Sequence, residues 1–241
     1  MNTTPPRNVL VIGGNSGIGA AIARAFAAQG DHVTATGSTE ASVAAARARP
    51  DLAGIALTVL DVRDAAAVAR VVAAAGELDV LVNSAGVVRR REEFDPEVFA
   101  DVVDVNLTGT MRACSAARPA LRARRGCIVN VASMLSFFGG GMAPGYSASK
   151  GGVAQLTKSL AIAFATDGIR VNAVAPGWIA TPLTQALQDD ALRSAQIVGR
   201  TPMGRWGTPD DVAGPALFLA SAAAGFVTGV VLPVDGGYLT V

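Results

Sequence analysis

Tyr146 and Lys150 are a phenol and an amine four positions apart. On a helix that spacing places both side chains on one face, one turn above the other. A phenol with an ordinary pKa of about 10 is a protonated acid at neutral pH. A lysine cation beside it favours the phenolate and brings the group toward the working range for proton transfer. The pair alone is common and usually marks a solvated helix face. Ser133 raises its weight, because it ends the preceding apolar run and its hydroxyl can hold and polarise a substrate carbonyl.

A second chemical element lies near the N-terminus. Gly13-Gly14-Asn15-Ser16-Gly17-Ile18-Gly19 follows an apolar strand pattern, Asn8 to Ile12, and opens a helical pattern from Gly17 to about Gln29. Glycines in that setting permit a tight turn and let the backbone approach a pyrophosphate at the positive end of the helix. In such sites a carboxylate ending the second strand holds a ribose 2′-hydroxyl, and a nearby arginine accepts a 2′-phosphate. Here the second strand ends in Thr36, Gly37, Ser38 and Thr39, with Glu40 too late in the loop. NAD or NADP is therefore the expected cofactor, with a lean to NAD because no cation stands ready for the extra phosphate.

These residues need a scaffold, and the chain supplies one pattern throughout. Apolar runs at Asn8–Ile12, His32–Thr36, Ile55–Leu60, Leu78–Asn83, Cys127–Ala132, Arg170–Ala175 and Val230–Val234 alternate with helical stretches. The helices are expected over Gly17–Gln29, Ala41–Ala48, Ala65–Ala75, Pro96–Arg122 and Tyr146–Thr166. Strand–helix alternation implies βαβ units and a parallel sheet covered on both faces. The expected fold is α/β, one Rossmann-type doubly wound domain over residues 1–241, with ligands at the carboxyl ends of the strands. Gly13 to Gly19, Ser38, Asp61-Val62, Asn83 to Gly86, Ser133 and Pro176-Gly177 all fall at such ends.

Composition narrows the chemistry. With 20 basic and 19 acidic residues in 241, net charge is +1, so nothing draws the chain to nucleic acid or anionic lipid. No apolar run approaches the roughly 20 residues of a membrane span. The polar, proline-bearing stretch Met1 to Asn8 does not read as a leader. Two cysteines, Cys114 and Cys127, fit a reducing, cytoplasmic setting. The single histidine, His32, leaves a Ser-His-Asp triad and the usual zinc sites without parts, and no metal site is expected.

Taken together, the motifs resemble the short-chain dehydrogenase/reductase family over essentially the whole chain. The matching pieces are Gly13-x-x-x-Gly17-Ile18-Gly19, Asn83-Ser84-Ala85-Gly86, Asn106, Ser133, Tyr146-x-x-x-Lys150, Pro176-Gly177 and Val234-Asp235-Gly236-Gly237. The resemblance implies Tyr146 as general acid/base and Ser133 as its substrate-orienting partner. It also implies that Lys150 binds the nicotinamide ribose and that Asn106 holds a water in the proton relay. By the same resemblance Asp61 and Val62 meet adenine, Asn83, Ala85 and Gly86 the central cofactor, and Ile179 and Thr181 the carboxamide. Gly37 and Ser38 fall at the adenosine ribose. Homo-oligomers, dimers or tetramers, are implied as well. Ile12 and Ser84 depart from the family's usual Thr and Asn, which puts local loop geometry in question.

A narrower resemblance joins Val131 to Phe137, Val88-Arg89-Arg90 and Gly204 to Gly207 to the 2-dehydro-3-deoxy-D-gluconate 5-dehydrogenase and 2-deoxy-D-gluconate 3-dehydrogenase branch. It implies a small keto or hydroxy sugar acid as substrate. Among Arg89, Arg90 and Arg91, Arg90 is the candidate to offer a guanidinium to a carboxylate. Met134, Leu135, Met142 and Trp178 are expected to wall the substrate pocket with Phe138 and Leu183, and Thr181 to Gly199 to form a lid. Arg205 reads as structural or as part of a subunit contact. Three alternatives stand beside this reading: a 3-oxoacyl-thioester reductase, a non-catalytic dinucleotide-binding scaffold, and a Ser147-x-x-Lys150 acyl hydrolase lacking its companion motifs.

Overall fold

The computed structural model describes residues 5–241, so part of the polar stretch from Met1 to Asn8 lies outside the described residues. Seven short runs rich in β-branched residues form β1 (Asn8–Ile12), β2 (His32–Gly37), β3 (Ala56–Val59), β4 (Val80–Asn83), β5 (Cys127–Val131), β6 (Arg170–Pro176) and β7 (Val231–Val234). They build one sheet in the order β3-β2-β1-β4-β5-β6-β7, and every neighbouring pair is parallel. Strand order reverses between β1 and β4, which opens a crevice at their carboxyl ends.

The helices are α1 (Gly17–Ala28), α2 (Glu40–Arg47), α3 (Ala65–Ala74), α4 (Pro96–Val103), α5 (Gly109–Arg124), α6 (Pro144–Phe164), α7 (Gln185–Gln188), α8 (Ala191–Arg200) and α9 (Pro209–Leu219). Side chains alternate across each strand, and the two faces make two cores. Val9 and Val11 of β1 pack with Ile22 and Phe26 of α1 and with Val212 and Leu219 of α9. Leu10 and Ile12 turn the other way, onto Val68 of α3, Leu121 of α5 and Phe164 of α6. The sheet is thus buried on both faces, which is why its strands read as unbroken apolar runs. No described helix is long and apolar enough to cross a membrane.

The structure revises three expectations. The long helix over Pro96–Arg122 is interrupted by a π-helical turn at Asp104–Thr108. There Gly109 lies so close to Val62 that a Cβ would sit 2.6 Å from Cγ2, and Asn106 is fully buried. The turn rotates Asn106 inward, as such bulges do at sites where a side chain must be re-aimed. β3 and β4 are shorter than expected: Ile55 and Leu78 are buried in the flanking turns, and Leu60 lies past the end of β3, its N–H donating to the Gly37 carbonyl at 2.8 Å. α9 adds a helix beyond the five expected, and Thr208 caps it in a reciprocal pair with Asp211.

Candidate active site

At the end of β1 the chain turns through Gly13, whose φ of 77° lies in the left-handed region. A Cβ there would come within 2.5 Å of the Ala85 nitrogen, so only glycine lets the loop pass beneath β4. The Gly13 N–H donates to Thr36 Oγ1 at 3.1 Å, bracing the loop from β2. Ile12 therefore leaves no gap: its side chain is in the core and the brace comes from elsewhere. Ser84 keeps its place through a 2.8 Å bond from its N–H to the Ile12 carbonyl. Ser16 precedes α1 in extended conformation and makes no side-chain cap, so the first N–H groups of that helix face outward toward a ligand. A glycine cradle and an uncapped positive helix end fit a diphosphate.

This loop opens into a cleft of about 690 Å³, within the usual range for cofactor sites. Its lining includes Gly13, Asn15, Ser16, Gly17, Ile18, Gly19, Ser38, Asp61, Val62, Ala85, Gly86, Tyr146, Lys150 and Thr181, joined by Ser42 and Leu183. Thus most of the residues singled out in sequence converge on one crevice. Asn83 does not. Its amide donates inward, to Asn130 Oδ1 at 2.9 Å and toward Cys114 Sγ at 3.2 Å, and Asn130 continues to Thr157 at 3.0 Å. Asn83 begins a buried polar chain from β4 to α6 and holds the sheet edge from within. Gly37, Pro176, Gly177 and Ile179 likewise shape the rim without lining it. Asn15 and Ser42 occupy the space beside Gly37, Asp235 crowds Gly177, and Ile179 lines a smaller second cavity with Trp178.

An ionic rim edges the same cleft. Arg63 binds Asp61 at 2.7 Å and Asp101 at 2.8 Å, and Asp101 reaches Arg89 at 2.8 Å. These four residues edge the cleft around Asp61 and Val62. The Arg63 guanidinium holds the Asp61 carboxyl below its usual range. Spacing along the chain could not show this, since Asp101 comes from a different helix.

Deeper in, Ser133 leaves β5 and Tyr146 lies in the first turn of α6. Burial pushes the Tyr146 phenol up from its ordinary pKa, while the Ser133 hydroxyl and then the Arg90 charge pull it down and Glu93 pushes it up. Lys150 is 97% buried by its 3% exposure, and desolvation lowers its pKa to about 8. Its Nζ donates to the Val131 carbonyl at 2.7 Å and lies 5.7 Å from the Tyr146 ring centroid. Two cations thus bear on the phenol: the Arg90 charge pulls its pKa down, and Lys150 stands against its ring. Asn106 Oδ1 accepts from Val87 N–H at 2.8 Å, and its Nδ2 donates to the Val87 carbonyl and to Ser149 Oγ. Its side chain secures the strand-end loop of β4 beside Gly86, where Lys150 Nζ also approaches.

The expected pocket walls are less direct. Met134 is buried in the turn after Ser133, and Leu135 packs against Gly140. Trp178 joins an aromatic cluster, 5.9 Å from Trp206 and 6.5 Å from Tyr238. Met142 lies on the loop before α6, where its carbonyl accepts the Arg91 N–H. None of the four lines the main cleft, nor do Arg90, Ser133 and Asn106, whereas Leu183 does. Thr181 to Gly199 folds as a short 3-10 turn, α7 and most of α8. Arg205 grips Asp211 at the start of α9, a structural role.

A family model described as enoyl-(acyl carrier protein) reductase matches residues 12–239, nearly the whole sheet and every element of this site. The chain belongs to the short-chain dehydrogenase/reductase family. It is an NAD(P)-dependent oxidoreductase. It is 41% identical over 242 residues to the 2-dehydro-3-deoxy-D-gluconate 5-dehydrogenase of Bacillus subtilis, covering 97% of this chain and 95% of the relative. Identity to the cis-4-hydroxycyclohexanecarboxylate dehydrogenase of Sinomonas cyclohexanicum is 43% over 245 residues, covering 98% and 97%. Among solved structures, a gluconate 5-dehydrogenase from Burkholderia cenocepacia in complex with NADP and tartrate superposes with a TM-score of 0.91 at 36% identity, covering 99% and 97%.

Proposed function

We propose that this family member interconverts a ketone and a secondary alcohol on a small hydroxy or keto acid, most specifically a sugar acid, within one domain spanning the chain. The observation that carries this reading is Arg90. It is half-buried, it has no ion pair or hydrogen bond among the described residues, and its charge reaches Tyr146. An unpaired guanidinium whose charge acts on the proton-transferring phenol suits a substrate whose reacting carbon lies a few bonds from a carboxylate. The two dehydrogenases above are named for carboxylate-bearing substrates, and the Burkholderia complex holds tartrate.

In this reading Tyr146 gives its hydroxyl proton to the developing alkoxide during reduction and takes a proton back during oxidation. Ser133 holds the same oxygen. Lys150 binds the ribose and, with Asn106 fixing the loop beside it, lines the route by which Tyr146 recovers its proton. The bound nicotinamide supplies hydride in one direction and accepts it in the other. Asn15, Ser38 and Ser42 offer polar groups at the end of β2, where no carboxylate opposes a 2′-phosphate, so both NAD and NADP are accommodated. The NADP in the Burkholderia relative supports that broader reading over the lean to NAD. Exposed Ile162 and Phe226 offer apolar surface for self-association into dimers or tetramers. Two buried free thiols fit work in the cytoplasm.

The test is Arg90→Ala. Losing a charged hydrogen bond should raise KM for an acidic secondary alcohol by about 10- to 100-fold, with little change for a neutral analogue. A 3-oxoacyl thioester, which presents no free carboxylate there, should be unaffected. Equal losses on acidic and neutral substrates would remove the carboxylate role.

A further inference from the structure

Glu93 is 1% exposed, an unusual place for a carboxylate that has no ion pair among the described residues. Its two oxygens are spent on backbone. Oε2 accepts the Tyr146 N–H at 2.8 Å, and Oε1 accepts the Arg89 N–H at 2.7 Å. The first of these bonds answers a need set by local sequence. Helix α6 begins with Pro144 after Ala143, and Ala143 has no side chain able to cap it. The open N–H of Tyr146, in the first helical turn, therefore takes its acceptor from 53 residues upstream. An acceptor there also meets the positive end of a long helix.

The segment that carries Glu93 is held to the same place at a second point. The Arg91 N–H donates to the Met142 carbonyl at 2.7 Å, with Arg91 at a φ of 71°. A non-glycine residue seldom adopts that conformation unless the surroundings enforce it. Arg90 directly precedes both anchors, and the N–H of its other neighbour, Arg89, is held by Glu93 Oε1. The segment is thus tied immediately after Arg90 to the residues that open α6, and Glu93 closes it back onto Arg89. Gly145 leaves the room: a Cβ there would lie 3.3 Å from Glu93 Oε2.

We propose that Glu93 is a positioning residue, a buried carboxylate clamp that sets the Arg90 guanidinium and the Tyr146 phenol in register so that acid binding and proton transfer occur at one spacing. The proposal rests on the reading of Tyr146 and Arg90 given above. The charged and polar groups acting on Tyr146 are Ser133 from the end of β5, Arg90 and Glu93 from the segment after β4, and Lys150 from α6 itself. Of these Glu93 carries the only negative charge, and it opposes formation of the phenolate. The clamp therefore has an electrostatic effect that a purely mechanical brace lacks.

Glu93→Gln keeps the size and removes the charge. Its amide can satisfy one of the two N–H groups and must turn an N–H against the other. Glu93→Asp keeps the charge on a shorter arm. For Glu93→Gln, kcat should fall about 10- to 100-fold, as expected for a small displacement at a reacting centre. KM for an acidic alcohol should rise more than for a neutral one, and the pH limb of alcohol oxidation should move to lower pH. Glu93→Asp should return that limb toward wild type even where kcat stays low. An unmoved limb in Glu93→Gln, with only a lowered melting temperature, would overturn the proposal. The limb is measured with whichever secondary alcohol the wild type oxidises, neutral ones included, so failure of the acid-substrate reading leaves it standing. The chain has two tyrosines, so phenolate absorbance of Tyr238→Phe with and without Glu93→Gln reads the same shift without turnover. An unchanged titration there would likewise overturn it.

Discussion

Lys150 should make this enzyme's stability depend on pH in a way that its replacement by methionine removes. The amine is 3% exposed and has one protein partner, the Val131 carbonyl at 2.7 Å. Desolvation lowers its pKa to about 8, against about 10.4 for a free lysine. Below pH 8 both the folded and unfolded chains carry the charge, and the folded one is penalised by about 3 kcal/mol. Between pH 8 and 10.4 the unfolded chain binds more protons than the folded chain, so stability rises with pH until the penalty is gone. Lys150→Met fills a similar volume and cannot titrate. Relative to that variant, the wild-type apoenzyme should gain about 2 kcal/mol between pH 7.5 and 9.5. That corresponds to roughly 4–8 °C in melting midpoint for a chain of this size. Paired urea and thermal melts at the two pH values measure it, and every other titrating group cancels in the difference. The bond to Val131 is lost at both pH values and so shifts the baseline alone. A difference that stays flat with pH would show that the folded site solvates the ammonium as well as water does, and the argument from burial would fail.

Tyr146→Phe should abolish turnover, by at least about 100-fold as for loss of a general acid, while cofactor affinity stays within about twofold. Retained turnover would remove Tyr146 from proton transfer. Fluorescence titration should show both NADH and NADPH binding, because the end of β2 has polar side chains and no carboxylate. A preference for NADH beyond about 100-fold would mean that some group rejects the 2′-phosphate.

The residues that carry the chemistry were legible because their spacing answers to local geometry. A Tyr and a Lys four apart share a helix face wherever that helix lies, and a glycine loop between strand and helix binds anions through its own backbone. The parallel sheet was legible as well, since strands buried on both faces must be apolar throughout. Helix breaks were not: the π turn that carries Asn106 leads into Gly109, which packs on Val62, a residue distant in sequence. Nor could spacing show that Asn83 turns away from the cofactor cleft to meet Asn130, because strand-end residues alternate between faces and the partner lies on another strand. Arg90 appeared in sequence as one of three like charges. Only the fold separates them, by pairing Arg89 with Asp101, leaving Arg91 exposed and half-burying Arg90 where its charge acts on Tyr146. Glu93 is the clearest case. A carboxylate in a charged run reads as solvated surface, and it becomes a buried cap only when two loops far apart in sequence meet at the start of α6. Sequence alone determined which groups could react and the sheet edge they would share. The tertiary structure decided which charges remain unpaired and which backbone groups they hold, because desolvation and long-range hydrogen bonds depend on neighbours that local spacing does not specify.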